Sequence, residues 1–105
     1  MNIYIKSLAL GPLLIAAVFL GGTVQAGDAA AGKAKSANCT GCHGLNGKSS
    51  TPNNPNLAGQ KEAYLIKATK AYRDGQRKDP MMATMVKGLS DTDIEDLSAF
   101  YAGVK

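Results

Sequence analysis

Residues 39–43 read Cys39-Thr40-Gly41-Cys42-His43, and this pentapeptide decides how the rest of the chain is read. Thiols at i and i+3 on one helical turn can each bond a vinyl group of haem, while the adjacent imidazole is turned toward the iron. Other uses of the same residues fit less well. A structural zinc site usually takes four Cys or His ligands, and the whole chain offers two cysteines and one histidine. A thioredoxin-like dithiol needs a βαβ setting, which the flanking sequence does not supply. A disulfide between Cys39 and Cys42 closes too small a loop to constrain the unfolded chain much.

Upstream of the pentapeptide, Asp28 is placed to cap an alanine-rich helix running to Ala37. Gly32 weakens that helix, which predicts close approach by another helix at this point. Residues 38–59 hold four glycines, Pro52 and Pro55, and the run Ser49-Ser50-Thr51-Pro52-Asn53-Asn54-Pro55-Asn56. Apolar residues are too sparse there for either periodicity, so the stretch predicts a long loop that carries the chemistry and wraps a bound group.

Downstream, Tyr64, Ala68, Ala71 and Tyr72 fall at i, i+4, i+7 and i+8 beside Leu65, predicting a helix that begins near Lys61 and ends at Gly75. Asp79 to Val86 forms a further short segment. Ser90 with Asp93 resembles a capping box opening the last helix, whose buried stripe is Ile94, Leu97 and Tyr101. Asp91, Asp93, Glu95 and Asp96 read as a solvated helix start matched to the helix dipole. No strand-like alternation or internal repeat occurs. The expected fold is all-α, with three main helices and a short helical segment around one haem.

The 105 residues accommodate one small domain and exclude a multidomain enzyme. Residues 1–26 carry Lys6, then an apolar run from Leu8 to Leu20, then Val24-Gln25-Ala26, the pattern of a secretory signal peptide cleaved after Ala26. An uncleaved membrane anchor is the alternative; after cleavage no stable span is expected. Residues 27–105 hold eleven Lys/Arg against eight Asp/Glu, a formal charge of +3. Without a polybasic run interleaved with aromatics, this mild excess gives no support for nucleic-acid binding.

The large apolar residues of the domain are few: Leu45, Leu57, Leu65, Ile66, Val86, Leu89, Ile94, Leu97 and Phe100, with three tyrosines and three methionines. A domain this small needs an added stabilising element, and a bulky apolar cofactor serves better than a tiny disulfide loop. A haem iron held by His43 also needs a donor on its opposite face. Met81, Met82 and Met85 follow Pro80 as candidate thioether donors, and spacing does not choose among them.

Together these residues resemble the class I c-type cytochromes, most closely single-haem cytochromes of the c-553 kind and the halves of diheme cytochrome c4. The likeness spans almost all of residues 27–105. It rests on Gly27 to Gly32, Cys39 to Gly44, Pro55 to Gln60, Met82 with Met85, and Leu89 to Ile94. It implies thioether bonds from Cys39 and Cys42, iron ligation by His43 and Met82, and a Pro55 carbonyl that accepts the second N–H of His43. It also implies that Gly32, Phe100 and Tyr101 form the crossing of the first and last helices. Tyr64, Tyr72, Arg73 and Arg77 are open candidates for the haem propionates, each also readable as core tyrosine or solvated arginine. A single motif means a single haem.

The expected function is that of a periplasmic one-electron carrier, without bond-making catalysis, probed by transient donor and acceptor proteins such as respiratory-chain components. A monomer is expected. The rival readings are a haem domain of a membrane-associated oxidoreductase, and a sensor or peroxidase with an open iron site. Lys61, Lys67, Lys70, Arg73, Arg77, Lys78 and Lys87 either ring the haem edge and steer acidic partners or form an ordinary solvated face.

Overall fold

The structure, a computed structural model, describes residues 11–12 and 27–105. The expected export segment, residues 1–26, lies outside the described residues apart from Gly11 and Pro12. Five helices follow in order: α1 Ala29–Lys35, α2 Ala37–His43, α3 Glu62–Arg73, α4 Pro80–Val86 and α5 Asp91–Ala102. A 3-10 turn at Leu45–Gly47 follows α2. The described residues contain no strand.

The ends of these helices have local causes. Asp28 accepts the N–H groups of Ala30 and Ala31 at 2.9 and 3.2 Å, satisfying donors that the first turn leaves free. Asp79 accepts from Met82 N–H at 3.0 Å, with Pro80 in the first turn of α4 where a missing N–H costs nothing. Ser90 and Asp93 form a reciprocal capping box at the start of α5. Gly75, at φ +81°, turns the chain just after α3 in a conformation that other residues adopt at a cost.

Two expectations need correction. The first helix does not continue from Asp28 through Ala37, because Ser36 turns its hydroxyl back onto the Lys33 carbonyl at 2.7 Å and α2 restarts at Ala37. The expected loop therefore begins only after His43, since Ala37–His43 is helical. Its helical period was invisible as hydrophobicity because the residues that face inward are thiols and an imidazole.

Helices α1 and α5 cross at Gly32. A Cβ built there would collide with the Asp96 carbonyl and lie 2.9 Å from Phe100 Cβ, so only glycine permits this approach. Asp96, one of the acidic residues read as solvated, is instead buried at 6% exposure. It accepts Asp28 N–H at 2.8 Å and Lys35 Nζ at 2.7 Å, binding the start of α1 to α5. Lys35 also meets Asp93 at 2.9 Å, and Asp91 pairs with Arg73 of α3 at 2.7 Å. The acidic start of α5 is thus a set of anchors for two other helices.

The core is small. Leu65, Leu97 and Tyr101 cluster, with Cys39, Leu57, Leu89 and Phe100 packed against them, while Ile94 is fully enclosed and Val86 buried. Leu45, counted among the apolar residues available for the core, is exposed on the 3-10 turn. In α3 only Leu65 is buried, and Tyr64 is about half exposed. Leu65 packs on α5, while Tyr64, Ala68 and Tyr72 of the same helix line a cavity.

These ion pairs set an acid limit. Hydrogen bonds from Lys35 and from Ser90 hold the Asp93 carboxyl at about 2, and Asp28 N–H with Lys35 holds Asp96 below the usual carboxylate range. A carboxyl depressed on folding contributes stability that is complete above its unfolded pKa and lost as pH falls through its folded pKa. Acid unfolding followed by helical ellipticity is therefore expected to steepen between about pH 4 and pH 2. Asp96→Asn should flatten that window.

Candidate haem site

Cys39, Cys42 and His43 line the cavity from α2, together with Asn38. Cys39 is half-buried, Cys42 is exposed at the cavity, and neither is in a disulfide. Burial pushes the Cys39 thiol pKa up, so this sulfur is a poor ion and a better apolar neighbour. His43 ends the helix and is 7% exposed.

Its ring is oriented by a hydrogen bond. Nδ1 lies 2.8 Å from the Pro55 carbonyl oxygen. A carbonyl only accepts, so Nδ1 carries the proton and Nε2 keeps the lone pair, which has no hydrogen-bond partner among the described residues.

Pro55 is held in place by a loop whose ends are tied to the core. The Gly47 carbonyl accepts Leu57 N–H at 2.8 Å and Ala58 N–H at 3.1 Å, and Gly59 N–H donates to the Tyr101 carbonyl at 2.9 Å. Gly47, at φ +76°, lies so close beneath Tyr101 that a Cβ would come within 2.7 Å of its ring. Across the neck of the loop, Asn56 accepts Ser49 N–H at 2.7 Å. Sequence reasoning assigned no role to Asn56 or Gly47. The Asn after a proline and the Gly after a short turn carry the only signals, and both need the partner strand of the loop to be interpreted.

Cys39, Cys42, His43 and Pro55 face one cavity of about 480 Å³, within the usual size of cofactor sites. The opposite lining includes Leu65, Ala68, Val86, Leu89 and Leu97, together with Tyr64, Tyr72 and all three candidate methionines. Met81 and Met85 are 64% and 40% exposed, and Met82 is less so. Arg77 also lines the cavity, whereas Arg73 does not. Arg73 is held by Asp74 and Asp91 and donates to the Leu89 carbonyl at 3.2 Å, bracing α3 against the start of α5. Of the seven central cations, only Arg77 reaches the cavity wall.

A large, planar, mostly apolar group fits this lining. Two sulfurs one helical turn apart suit covalent attachment, an imidazole with a fixed tautomer suits a metal, and Tyr64, Ala68 and Tyr72 of α3 turn toward the cavity. No cluster of three or more His, Cys, Asp or Glu side chains able to hold a bare metal ion occurs among the described residues. The arrangement defines a helical protein built around an attached metalloporphyrin.

The comparisons with known proteins agree. The family model described as cytochrome c matches residues 29–105. Cytochrome c-554(548) of Halomonas halodenitrificans is 51% identical over 80 residues, covering 73% of this chain and 96% of its own. Cytochrome c4 of Pseudomonas aeruginosa is 45% identical over 80 residues, covering 76% of this chain and 40% of its own. The crystal structure of reduced recombinant cytochrome c4 from Pseudomonas stutzeri superposes with a TM-score of 0.72 at 42% identity, covering 75% of this chain and 46% of that one. The chain thus spans nearly all of the Halomonas protein and less than half of these cytochrome c4 chains.

This chain belongs to the cytochrome c family. It is a haem-containing electron-transfer cytochrome, and its cofactor is covalently bound haem c with iron, for which Cys39 and Cys42 have the attachment spacing.

Proposed function

We propose that residues 27–105 form a periplasmic one-electron carrier in which Cys39 and Cys42 hold haem c by thioether bonds and His43 and Met82 are its axial ligands. The observation that carries this reading is the convergence, on one cavity, of two thiols and an oriented imidazole from α2 with methionines from α4. Haem c, when bound, supplies a one-electron couple between ferric and ferrous iron.

The protein's part is to bind, orient and shield. The Pro55 carbonyl keeps the His43 proton on Nδ1, which leaves the Nε2 lone pair free to donate. Met82 is favoured over its neighbours because Met81 and Met85 are more exposed and because Asp79 fixes the Met82 amide. A neutral, soft thioether opposite imidazole favours ferrous iron and a comparatively high potential. With His43 and Met82 both holding the iron, the site would leave no open position for substrate or oxygen, and the chain would carry electrons without making bonds. Donor and acceptor proteins dock briefly, through the small interfaces usual for redox encounters.

Export rests on residues 1–26, read as a cleaved signal, and the secreted protein is expected to begin at Gly27 when its mass is determined. A secreted protein retaining Met1 contradicts that part of the reading. No helix among the described residues is long and apolar enough to cross a membrane.

The sixth ligand is tested by visible spectra of wild type beside Met81→Ala, Met82→Ala and Met85→Ala. Met82→Ala alone is expected to lose the sulfur–iron charge-transfer band and to bind carbon monoxide readily when reduced. Loss in Met85→Ala or Met81→Ala with Met82→Ala unchanged reassigns the ligand.

A further inference from the structure

Resting on the haem-carrier reading, we infer that Arg77 is the cationic partner of a haem propionate and that its charge holds the iron potential up from the rim of the cavity. The lining contains two charged side chains, Arg77 and Asp79. Asp79 is engaged as the cap of α4, accepting Met82 N–H at 3.0 Å. Arg77 has no carboxylate within ion-pair distance among the described residues, whereas Arg73, the last residue of α3, has two.

Arg77 is also held in position. Its guanidinium carbon lies 4.6 Å from the centroid of the Tyr72 ring, and Tyr72 lines the same cavity. Its backbone N–H donates to the Ala71 carbonyl at 3.0 Å, across the turn made by Gly75. Stacking on an aromatic face restrains the side chain while leaving its in-plane N–H donors open, the geometry that suits a planar carboxylate. Haem carries two propionate carboxylates, and a carboxylate in a largely apolar lining needs a partner. Among the described residues, Arg77 is the one cation that lines the cavity. Uncompensated negative charge near the iron favours the ferric state, so an arginine that neutralises it favours the ferrous state.

The test uses haem-loaded wild type, Arg77→Gln, Arg77→Lys, Tyr72→Leu and Lys67→Gln, the last removing an exposed cation outside the cavity lining. Absorbance first establishes haem content and six-coordination in each, so failure of the carrier reading is seen before the potential is measured. Optical redox titration then gives the midpoint. At fixed poise, Arg77→Gln is expected to lower the ferrous-to-ferric ratio about three- to tenfold, tenfold being about 59 mV for one electron. Arg77→Lys should keep most of the wild-type ratio, Tyr72→Leu should fall between wild type and Arg77→Gln, and Lys67→Gln should not move. An unchanged midpoint in Arg77→Gln overturns the inference, as does an equal fall in Arg77→Lys or in Lys67→Gln.

Discussion

Cells that supply haem and its attachment machinery are expected to yield a colourless, largely unfolded chain when Cys39 and Cys42 are both replaced by alanine. The reason lies in how little apolar protein the domain encloses. Among the described residues, only Leu65, Val86, Ile94, Leu97 and Tyr101 are buried apolar side chains, and Ile94 alone is fully enclosed. Burying such a side chain contributes about 1.5–3 kcal/mol, against an ordering cost of about 1.5 kcal/mol for every residue fixed. The apolar faces of α3 and α4 meet across the cavity and need the cofactor between them. Far-UV ellipticity and visible absorbance measured together check this. A colourless double variant that is fully helical and melts cooperatively contradicts it. Each single variant should retain one attachment and an intermediate yield.

Gly32→Ala is expected to be strongly destabilising. The new Cβ collides with backbone, the Asp96 carbonyl, so no rotamer change relieves it. Separating α1 from α5 also stretches the bonds that Asp96 makes to Asp28 N–H and Lys35. Overpacking costs about 1–3 kcal/mol, and the upper end applies where backbone must move. For a domain of this size that lowers Tm by roughly 10–20 °C. The loss exceeds the helix propensity that alanine gains over glycine, about 1 kcal/mol. Gly88→Ala is the control, because a Cβ there meets nothing within 4 Å. Thermal melts of the haem-loaded proteins decide, and equal Tm values for the two variants refute the argument.

What could be read in the sequence was whatever depends on neighbours along the chain. Asp28 and Ser90 with Asp93 are local start signals, and both cap helices. The Ile94, Leu97 and Tyr101 stripe is periodic because one face of α5 is buried, and Gly32 was legible as a close approach because a helix tolerates glycine poorly without a reason. The cofactor was legible because covalent attachment needs two thiols and an imidazole at fixed spacing.

Three things were hidden, each for a physical reason. Helix α2 carries no hydrophobic period, since its inward face is chemistry rather than core. The burial of Asp96 could not be told from the exposure of Asp91 on the same helix, because the deciding partners, Asp28 and Lys35, are more than sixty residues away. The loop that carries Pro55 is ordered through the Gly47 and Tyr101 carbonyls, and backbone partners leave no trace in side-chain identity. Tyr64 and Tyr72 illustrate a subtler case. Their helical spacing was read correctly, but the surface they face is a cavity wall, so periodicity indicated burial without saying against what.

The central claim is that the pigment is bonded to α2 through Cys39 and Cys42. Extraction of the purified wild-type protein with acidified acetone, followed by the alkaline pyridine spectrum of both phases, tests it most directly. All the haem is expected to stay with the polypeptide and to show the blue-shifted band of a porphyrin whose vinyl groups are saturated. Free haem in the organic phase, with an unshifted vinyl spectrum, contradicts the account.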